Sequence, residues 1–392
     1  MKILFLTTED SSFWSHRLAL ARAAKNEGAE VVIMTRSGKY HSRLEKEGFR
    51  IIPWKISRRS LNPIRELFSL MQVLKAYRLE QPDLVHHVAF KPIVYGGIAA
   101  RLCGGISTVN TVTGLGPVFI NSNPHMIFLR RLLTIVLKWV FRPVDCKVIL
   151  QNGDDRDLLV KQRIAMRDKT VVIPGFGVDT DHFVPFPEPS GVPVVMLPAR
   201  MLWEKGVGEF VAAASELRAR GASVRMVLVG DPDPNNPGCI NEAKLKEWVN
   251  SGDVEWWGQQ ENMPSVLCQS HVVCLPSYRE GLPKVLLEAS ACGRAIVTTS
   301  TPGCSHAVRH GENGLLVPIK DSQSLAAAIF GLLGDKKLRT QMGARGRARA
   351  VHEFSDKLIA RETLDVYQEL FNFAEQSALS SFRVASRSYW LF

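Results

Sequence analysis

Short apolar runs rich in β-branched residues recur along the chain, separated by stretches whose apolar positions repeat at helical spacing. "KILFL" (2–6), "EVVIMT" (30–35), "DLVHHVA" (83–89) and "CKVILQ" (146–151) are too short for ordinary helices and read as buried strands. Strands alternating with helical segments predict a parallel sheet flanked by helices. The pattern breaks at "VVIPGFGVDTDHFVPFPEPSGVP", where Pro and Gly cluster over 174–193. It resumes with "VVMLPAR" (194–200), "VRMVLVG" (224–230), "VVCLPS" (272–277) and "AIVTTS" (295–300). Two α/β domains are therefore expected, residues 1–178 and 179–372, with further helices near 322–333 and 355–372. The last of these has the option of packing back on the first domain, and 373–392 form a Ser- and Arg-containing tail. Ligands of open parallel sheets lie beyond the carboxyl ends of the strands, and two such domains facing each other make a cleft. The loops leaving the strands are thus where chemistry is sought.

Two loops of the second domain stand out. Arg200 ends "VVMLPAR", and Lys205 follows five residues later, ahead of Gly206 and a helical stretch. Two cations at a strand–loop–helix junction suit a diphosphate, because loop N–H groups and a helix N-terminus add partial positive charge. Two solvated loop residues would give the same spacing. In "SYREGLPKVLLEASACG" (277–293), Glu280 precedes a Gly-Leu-Pro turn, Pro283 suits the first turn of a helix, and Gly293 stops it. Glu288 then lies some five residues into the helix, which separates the two carboxylates by roughly 8–12 Å. That is the length of a nucleotide sugar; a retaining glycosidase pair needs about 5 Å. The plainer reading makes Glu280 a helix-dipole partner and Glu288 a surface residue. Asp231-Pro232-Asp233 in "GDPDPNNPG" has the D-x-D form of some metal sites, but its Pro- and Asn-rich setting marks turn formers.

The first domain offers less. The loop "TTEDSSFWSHR" contains no glycine, so the dinucleotide-binding fingerprint is missing. His16 and Arg17 are expected at the start of the following helix, and His86, His87 and Lys91 at or beyond a strand end. Gly114 and Gly116 are expected where backbone passes close to a ligand. A packed or capped histidine is the simpler reading for each imidazole.

Charge adds a direction to this picture. The formal net charge of +11 is uneven: residues 1–180 carry 27 Lys and Arg against 15 Asp and Glu, and residues 181–392 carry 22 against 23. The first half is thus expected to meet something anionic. No nucleic-acid-binding signature accompanies the charge, so nucleic acid is not expected as a partner. "PHMIFLRRLLTIVLKWVFRPV" (124–144) places Arg131, Lys138 and Arg142 on one helical face, with Trp139 and Phe141 available to a membrane interface. Its apolar runs are too short to span a bilayer. A domain helix with one wet face is the alternative. The N-terminus "MKILFLTTED" lacks the form of a signal peptide, so a cytoplasmic location is expected. Seven cysteines without a C-x-x-C pair predict neither a disulfide framework nor a zinc site.

Taken together, Arg200…Lys205-Gly206, "EGLPKVLLEASACGRAIVTT", "HGENGLLVP" and the linker "VVIPGFGVDTDHFVP" resemble the family 4 glycosyltransferases of the GT-B fold. "KPIVYGGIAAR", "TVTGLGPVF" and "GDPDPNNPG" are similar to the subgroup that builds lipid-linked bacterial polysaccharide on undecaprenyl diphosphate. The resemblance covers about residues 1–370. It implies two Rossmann-like domains facing across a cleft, an acceptor-binding first domain and a donor-binding second. The implied activity is metal- and cofactor-independent transfer, with retention, of a hexose or N-acetylhexosamine from a UDP- or GDP-sugar. The implied acceptor is a lipid-linked (undecaprenyl-diphosphate) saccharide at the inner face of the cytoplasmic membrane. It assigns Arg200 and Lys205 to the donor diphosphate and Glu280, with backbone at Gly281 and Leu282, to the transferred sugar. Glu288 goes to the ribose, and catalysis rests on Glu280, Arg200 and Lys205. Ala at Glu280 or Lys205 is expected to reduce transfer and leave the thermal melt nearly unchanged.

The chain departs from the family at the glycine-free first loop. It also has Thr111 to Thr113 where many relatives carry histidine, and His306 where they commonly place glutamate. Other occupations of the same architecture are a sugar-nucleotide epimerase, a soluble-acceptor transferase, or a non-catalytic sugar-nucleotide-binding subunit.

Overall fold

The computed structural model describes residues 1–57, 62–115, 124–234 and 236–388, with the backbone alone at 124–125 and 373–388. The chain forms two compact units: Met1–Phe176 joined by the chain from Ile359 onward, and Gly177–Leu358.

The sheet of the first unit has seven strands in the order β3-β2-β1-β4-β5-β6-β7. They are β1 (Lys2–Glu9), β2 (Glu30–Arg36), β3 (Arg50–Pro53), β4 (Leu84–Val88), β5 (Ser107–Val112), β6 (Cys146–Leu150) and β7 (Thr170–Val172). All their pairings are parallel. β1 is central because Ile3–Leu6 is apolar on both faces, as a strand covered on both sides must be. Ile3 and Phe5 pack on one face with Tyr367 of the helix Asp356–Ser388, and Leu4 and Leu6 on the other with Trp54 and Tyr77. Strand order reverses where β1 meets β4, which leaves a crevice at their carboxyl ends.

β5, "STVNTV", is buried throughout despite its polar residues. Its Asn110 is bonded to His87 Nδ1 (2.7 Å), whose Nε2 meets the Tyr77 hydroxyl (2.9 Å). His86 is bonded through Nε2 to Thr111 (2.7 Å) and through Nδ1 to the Tyr367 hydroxyl (2.5 Å). Both histidines therefore lie inside β4, not beyond it, and serve the core. A Cβ at Gly96 would sit 2.2 Å from His87 Nε2, so only glycine lets the helix Phe90–Leu102 lie on this network.

One further expectation changes in detail. His16 ends the helix Asp10–His16 and does not open one, whereas Arg17 is the N-cap of the helix Leu18–Asn26. Lys91 Nζ donates to Ser57 O and Glu66 Oε2, both at 2.9 Å. Gly114 has φ 120°, a glycine conformation, whereas Gly116 lies outside the described residues.

The second unit carries six parallel strands in the order β10-β9-β8-β11-β12-β13. They are β8 (Val194–Pro198), β9 (Arg225–Val229), β10 (Glu255–Trp256), β11 (Val272–Leu275), β12 (Ala295–Thr299) and β13 (Gly314–Val317). Here the order reverses between β8 and β11. The helix Lys336–Glu353 lies outside the helical stretches expected from sequence; three of its four arginines cap carbonyls of neighbouring segments. Arg339 donates to Leu332 O, Arg347 to Phe183 O and Arg349 to Ala307 O. Among the described residues no helix is long and apolar enough to cross a membrane.

Burial holds His87 down to about 4, against the opposing pull of its Asn110 bond, and holds His86 well below its ordinary value, with Arg17 adding to the effect. The unfolded chain protonates these rings near pH 6.5, so between about 6.5 and 4 it binds more protons than the fold does. Stability is expected to fall as pH drops through that window, by up to roughly 1.4 kcal/mol per pH unit per histidine. Urea midpoints measured from pH 7 to 4.5 should fall less steeply in His87→Gln than in the parent.

Candidate functional site

The carboxyl ends of β8 and β11, neighbours in the sheet, bring together two loops distant in sequence. After β8 come Arg200, a tight turn at Trp203–Lys205, Gly206 and the helix Val207–Ala219. After β11 come Ser277 to Leu282 and the helix Lys284–Ala291, with Pro283 at its N-cap, one position before the first turn expected for it.

The two loops touch through their backbones. Tyr278 N–H donates to Glu204 O (3.0 Å). Gly206 has φ 73°, and a Cβ there would stand 2.1 Å from Pro276 O. This approach lets Lys205 Nζ form an ion pair with Glu280, 75 residues away, with side-chain exposures of only 18% and 12%. Ser277 Oγ donates to the same carboxylate oxygen (2.8 Å), and Thr299 Oγ1 donates to Ser277 O (2.5 Å). On the far side a Cβ at Gly303 would lie 2.4 Å from Gly281 O, so the helix Pro302–Ala307 begins directly against the Glu280–Gly281 backbone. Leu282 is buried in the core with Leu286. The Gly281–Leu282 backbone is thereby fixed from both sides.

Arg200 and Glu288 are brought together differently. Both line a cavity of about 560 Å³, shared with Asp231, Asp233, Gln259 and Lys284. Arg200 Nη1 donates to Asp233 Oδ2 (2.7 Å). Asp233 also fills the turn role read from sequence, since its carbonyl accepts from Asn236 N–H (2.7 Å). Asp231 accepts from Gln259 N–H (2.9 Å), which ties the two loops at the cavity's edge. Burial pushes the Glu288 carboxyl up, and Lys284, 3.6 Å away, pulls it back. Glu288 is therefore a mostly buried acid in a cavity wall, not the surface residue of the plainer reading.

Each cation of the expected clamp thus has an acidic partner in this state. Lys205 and Glu280 face each other, and they do not line the Arg200–Glu288 cavity. Ser277, Asp233 and Lys284 were not singled out from sequence as partners of the site. Only Lys284 had a readable signal, its i,i+4 spacing from Glu288 on one helix. His306 lies in the helix Pro302–Ala307 with its ring 6.0 Å from Phe354. Among the described residues no group of three His, Cys, Asp or Glu is placed to hold a metal ion. All seven cysteines are free thiols. The arrangement can neutralise an anion with two movable cations while two carboxylates accept hydroxyl hydrogen bonds.

Comparison with known proteins bears on which anion that is. Residues 2–151 match the family model described as "Glycosyl transferase 4-like", and residues 192–335 match "Glycosyl transferases group 1". The chain is 29% identical over 387 residues to N,N'-diacetylbacillosaminyl-diphospho-undecaprenol alpha-1,3-N-acetylgalactosaminyltransferase of Campylobacter jejuni, covering 94% of this chain and 99% of the relative. It is 25% identical over 331 residues to UDP-Gal:alpha-D-GlcNAc-diphosphoundecaprenol alpha-1,3-galactosyltransferase of Escherichia coli, covering 80% and 82%. The fold matches that of Anabaena Alr3699/HepE in complex with UDP and glucose with a TM-score of 0.77 at 20% identity, over 94% and 99% of the two chains.

The ion pair corrects one expectation, that Lys205 and Glu280 can be removed without cost to the fold. Lys205→Met leaves a mostly buried carboxylate with Ser277 as its remaining partner, and is expected to destabilise by about 1–3 kcal/mol. Glu280→Gln should cost less, and the double variant should fall short of the sum by at least about 0.5 kcal/mol. Urea denaturation of the four proteins measures this coupling directly.

Proposed function

Because this chain is a glycosyltransferase of the GT-B fold, related to the family 4 enzymes, we propose that it moves a hexose or N-acetylhexosamine from a UDP- or GDP-sugar to a saccharide carried on a lipid diphosphate. Transfer proceeds with retention and without a metal, at the inner face of an anionic cytoplasmic membrane. That it uses a nucleotide-sugar donor follows from its relatives; the acceptor, the stereochemistry and the residue roles are our reading.

The observation that carries the reading is the convergence of Lys205 with Glu280, and of Arg200 with Glu288, at the carboxyl ends of β8 and β11. Departure of a nucleoside diphosphate builds negative charge on its phosphate oxygens. Arg200 and Lys205 would exchange their carboxylate partners for those oxygens, and cations already held in place stabilise the leaving group without reorganisation. Glu280, released from Lys205, accepts hydrogen bonds from the transferred sugar, with backbone at Gly281 and Leu282 alongside. Glu288 accepts from the ribose, and the cavity's volume falls in the ordinary range for small-molecule sites.

Support for a membrane-borne acceptor comes from the first unit. On the helix Pro124–Val140, Phe128 (71% exposed), Leu132, Ile135 (65%) and Trp139 form an exposed apolar stripe, with Arg131 and Lys138 exposed beside it. Phe141, expected at the interface, is instead buried, and Arg142 follows the helix end. The helix Pro63–Glu80 exposes Ile64, Leu67, Phe68 and Met71 in the same manner, beside Arg65, Lys75 and Arg78. Apolar stripes edged with cations suit the interface of an anionic bilayer.

Two measurements test the reading. Ionising Glu288 costs stability as pH rises through its elevated folded pKa, so Glu288→Gln should raise the thermal midpoint; it should also weaken nucleotide-sugar binding by roughly 10-fold or more in calorimetric titration. Parental affinity in that variant would remove Glu288 from the donor site. In flotation with vesicles containing anionic lipid, the parent should rise with the lipid, and a variant neutralised at Arg131, Lys138 and Arg142 should stay below. Absence of the parent from the lipid fraction would count against a membrane-borne acceptor.

A further inference from the structure

Lys205 and Glu280 are not the only side chains that join the loops after β8 and β11. Glu209, four residues beyond Lys205, stands in the first turn of the helix Val207–Ala219, and Tyr278 stands two residues before Glu280. The Tyr278 hydroxyl donates to Glu209 Oε1 (2.7 Å). A second link therefore runs beside the ion pair, between the same helix start and the same loop, and none of the roles above uses it.

The two links respond differently to a ligand. Lys205 has to leave Glu280 before either can meet a donor, and Glu280 is then left with Ser277 Oγ, which belongs to its own loop. Tyr278 and Glu209 do not line the Arg200–Glu288 cavity, so nothing in that exchange of partners draws them apart. Their bond is also well supported. Tyr278 N–H donates to Glu204 O (3.0 Å), and Lys320 Nζ lies 5.0 Å from the centre of the tyrosine ring. Burial and the nearby Glu209 push the Tyr278 phenol up, so it keeps its proton and remains a donor at neutral pH. Glu209 Oε2 is buried without a hydrogen-bond partner among the described residues. Such a carboxylate is costly to hold in place, and the strong bond that a hydroxyl gives to a charged oxygen offsets this.

We propose that Glu209 and Tyr278 are positioning residues whose hydrogen bond tethers the 277–282 loop to the helix Val207–Ala219 while the Lys205–Glu280 pair is open. The Glu280 carboxylate thereby stays where it accepts from the sugar. The tether itself depends on no particular ligand; only its benefit to transfer rests on the sugar role given to Glu280 above.

Lys205→Met opens the ion pair without a ligand, so the tether can be read by itself. The measure is amide hydrogen exchange of 277–282 relative to β8, Val194–Pro198, so that any general loss of stability cancels. In Lys205→Met and in Tyr278→Phe this ratio should stay within about threefold of the parent, and in the double variant it should rise about tenfold or more. Glu209→Leu combined with Lys205→Met should behave as Tyr278→Phe does there; Glu209→Gln, which keeps an accepting oxygen, should leave the loop protected. A double variant no faster than Lys205→Met would overturn the tether. So would Lys205→Met alone exchanging as fast as the double variant, or Glu209→Gln as fast as Glu209→Leu.

Turnover, followed as UDP release from UDP-galactose and UDP-N-acetylgalactosamine, connects the tether to transfer. In Tyr278→Phe and Glu209→Leu it should fall by about fivefold or more with UDP affinity unchanged in calorimetry, and Glu209→Gln should retain it. Parental turnover in both Tyr278→Phe and Glu209→Leu, beside a crippled Glu280→Gln, would overturn the positioning role. A loss of UDP affinity as large as the loss of turnover would mark a merely structural contact and overturn it too. Parental turnover in Glu280→Gln would instead sink the sugar role of Glu280 and leave the exchange result standing.

Discussion

The ion pair between Lys205 and Glu280, 75 residues apart in sequence, is possible only because β8 and β11 are neighbours in the sheet. A parallel sheet that reverses its order must leave two adjacent strands whose loops run apart into different helices. Here the backbone hydrogen bond from Tyr278 to Glu204 and side chains of opposite charge together bridge those loops. The backbone contact at Gly206 and Pro276, and the one at Gly303 and Gly281, then leave the pair little room to wander. Positions of charge at these strand ends are thus set by main chain.

Both units solve the same topological problem with different chemistry. At the β8/β11 reversal the charges are matched, cation against carboxylate. At the β1/β4 reversal Arg17 Nε and Nη2 are buried without a hydrogen-bond partner among the described residues. The half of the chain with excess positive charge is the half that contains this unmatched arginine and the cation-edged apolar stripes.

What could be read from sequence was whatever depends on neighbours along the chain. The runs at β1, β2, β4, β6, β8, β9, β11 and β12 announced themselves, because a strand covered on both faces must be apolar almost throughout. β5 did not, since Asn110 and Thr111 look like loop residues until His87 and His86 are placed beside them. The helix Lys336–Glu353 was hidden for the same reason, its arginines being spent on carbonyls far away in sequence. In the site, Arg200, Lys205, Glu280 and Glu288 were legible as a spacing. Their partners were not: Asp233 lies 33 residues from Arg200 and serves a turn as well, so nothing local distinguishes it.

The chain enters the second unit at Gly177, leaves it after Leu358, and returns to complete the first with Tyr367 and its neighbours. During synthesis this sets an order. The first 176 residues emerge without the helix that covers one face of their sheet, so Phe5, Ile33 and Leu84 must wait, wet or loosely collapsed, for nearly two hundred further residues. The second unit is contiguous and can close as soon as its own last helix has appeared. A ribosome-bound intermediate of this protein would therefore carry a finished second unit behind an unfinished first one, and the exposed half-sheet is where a chaperone would find its work.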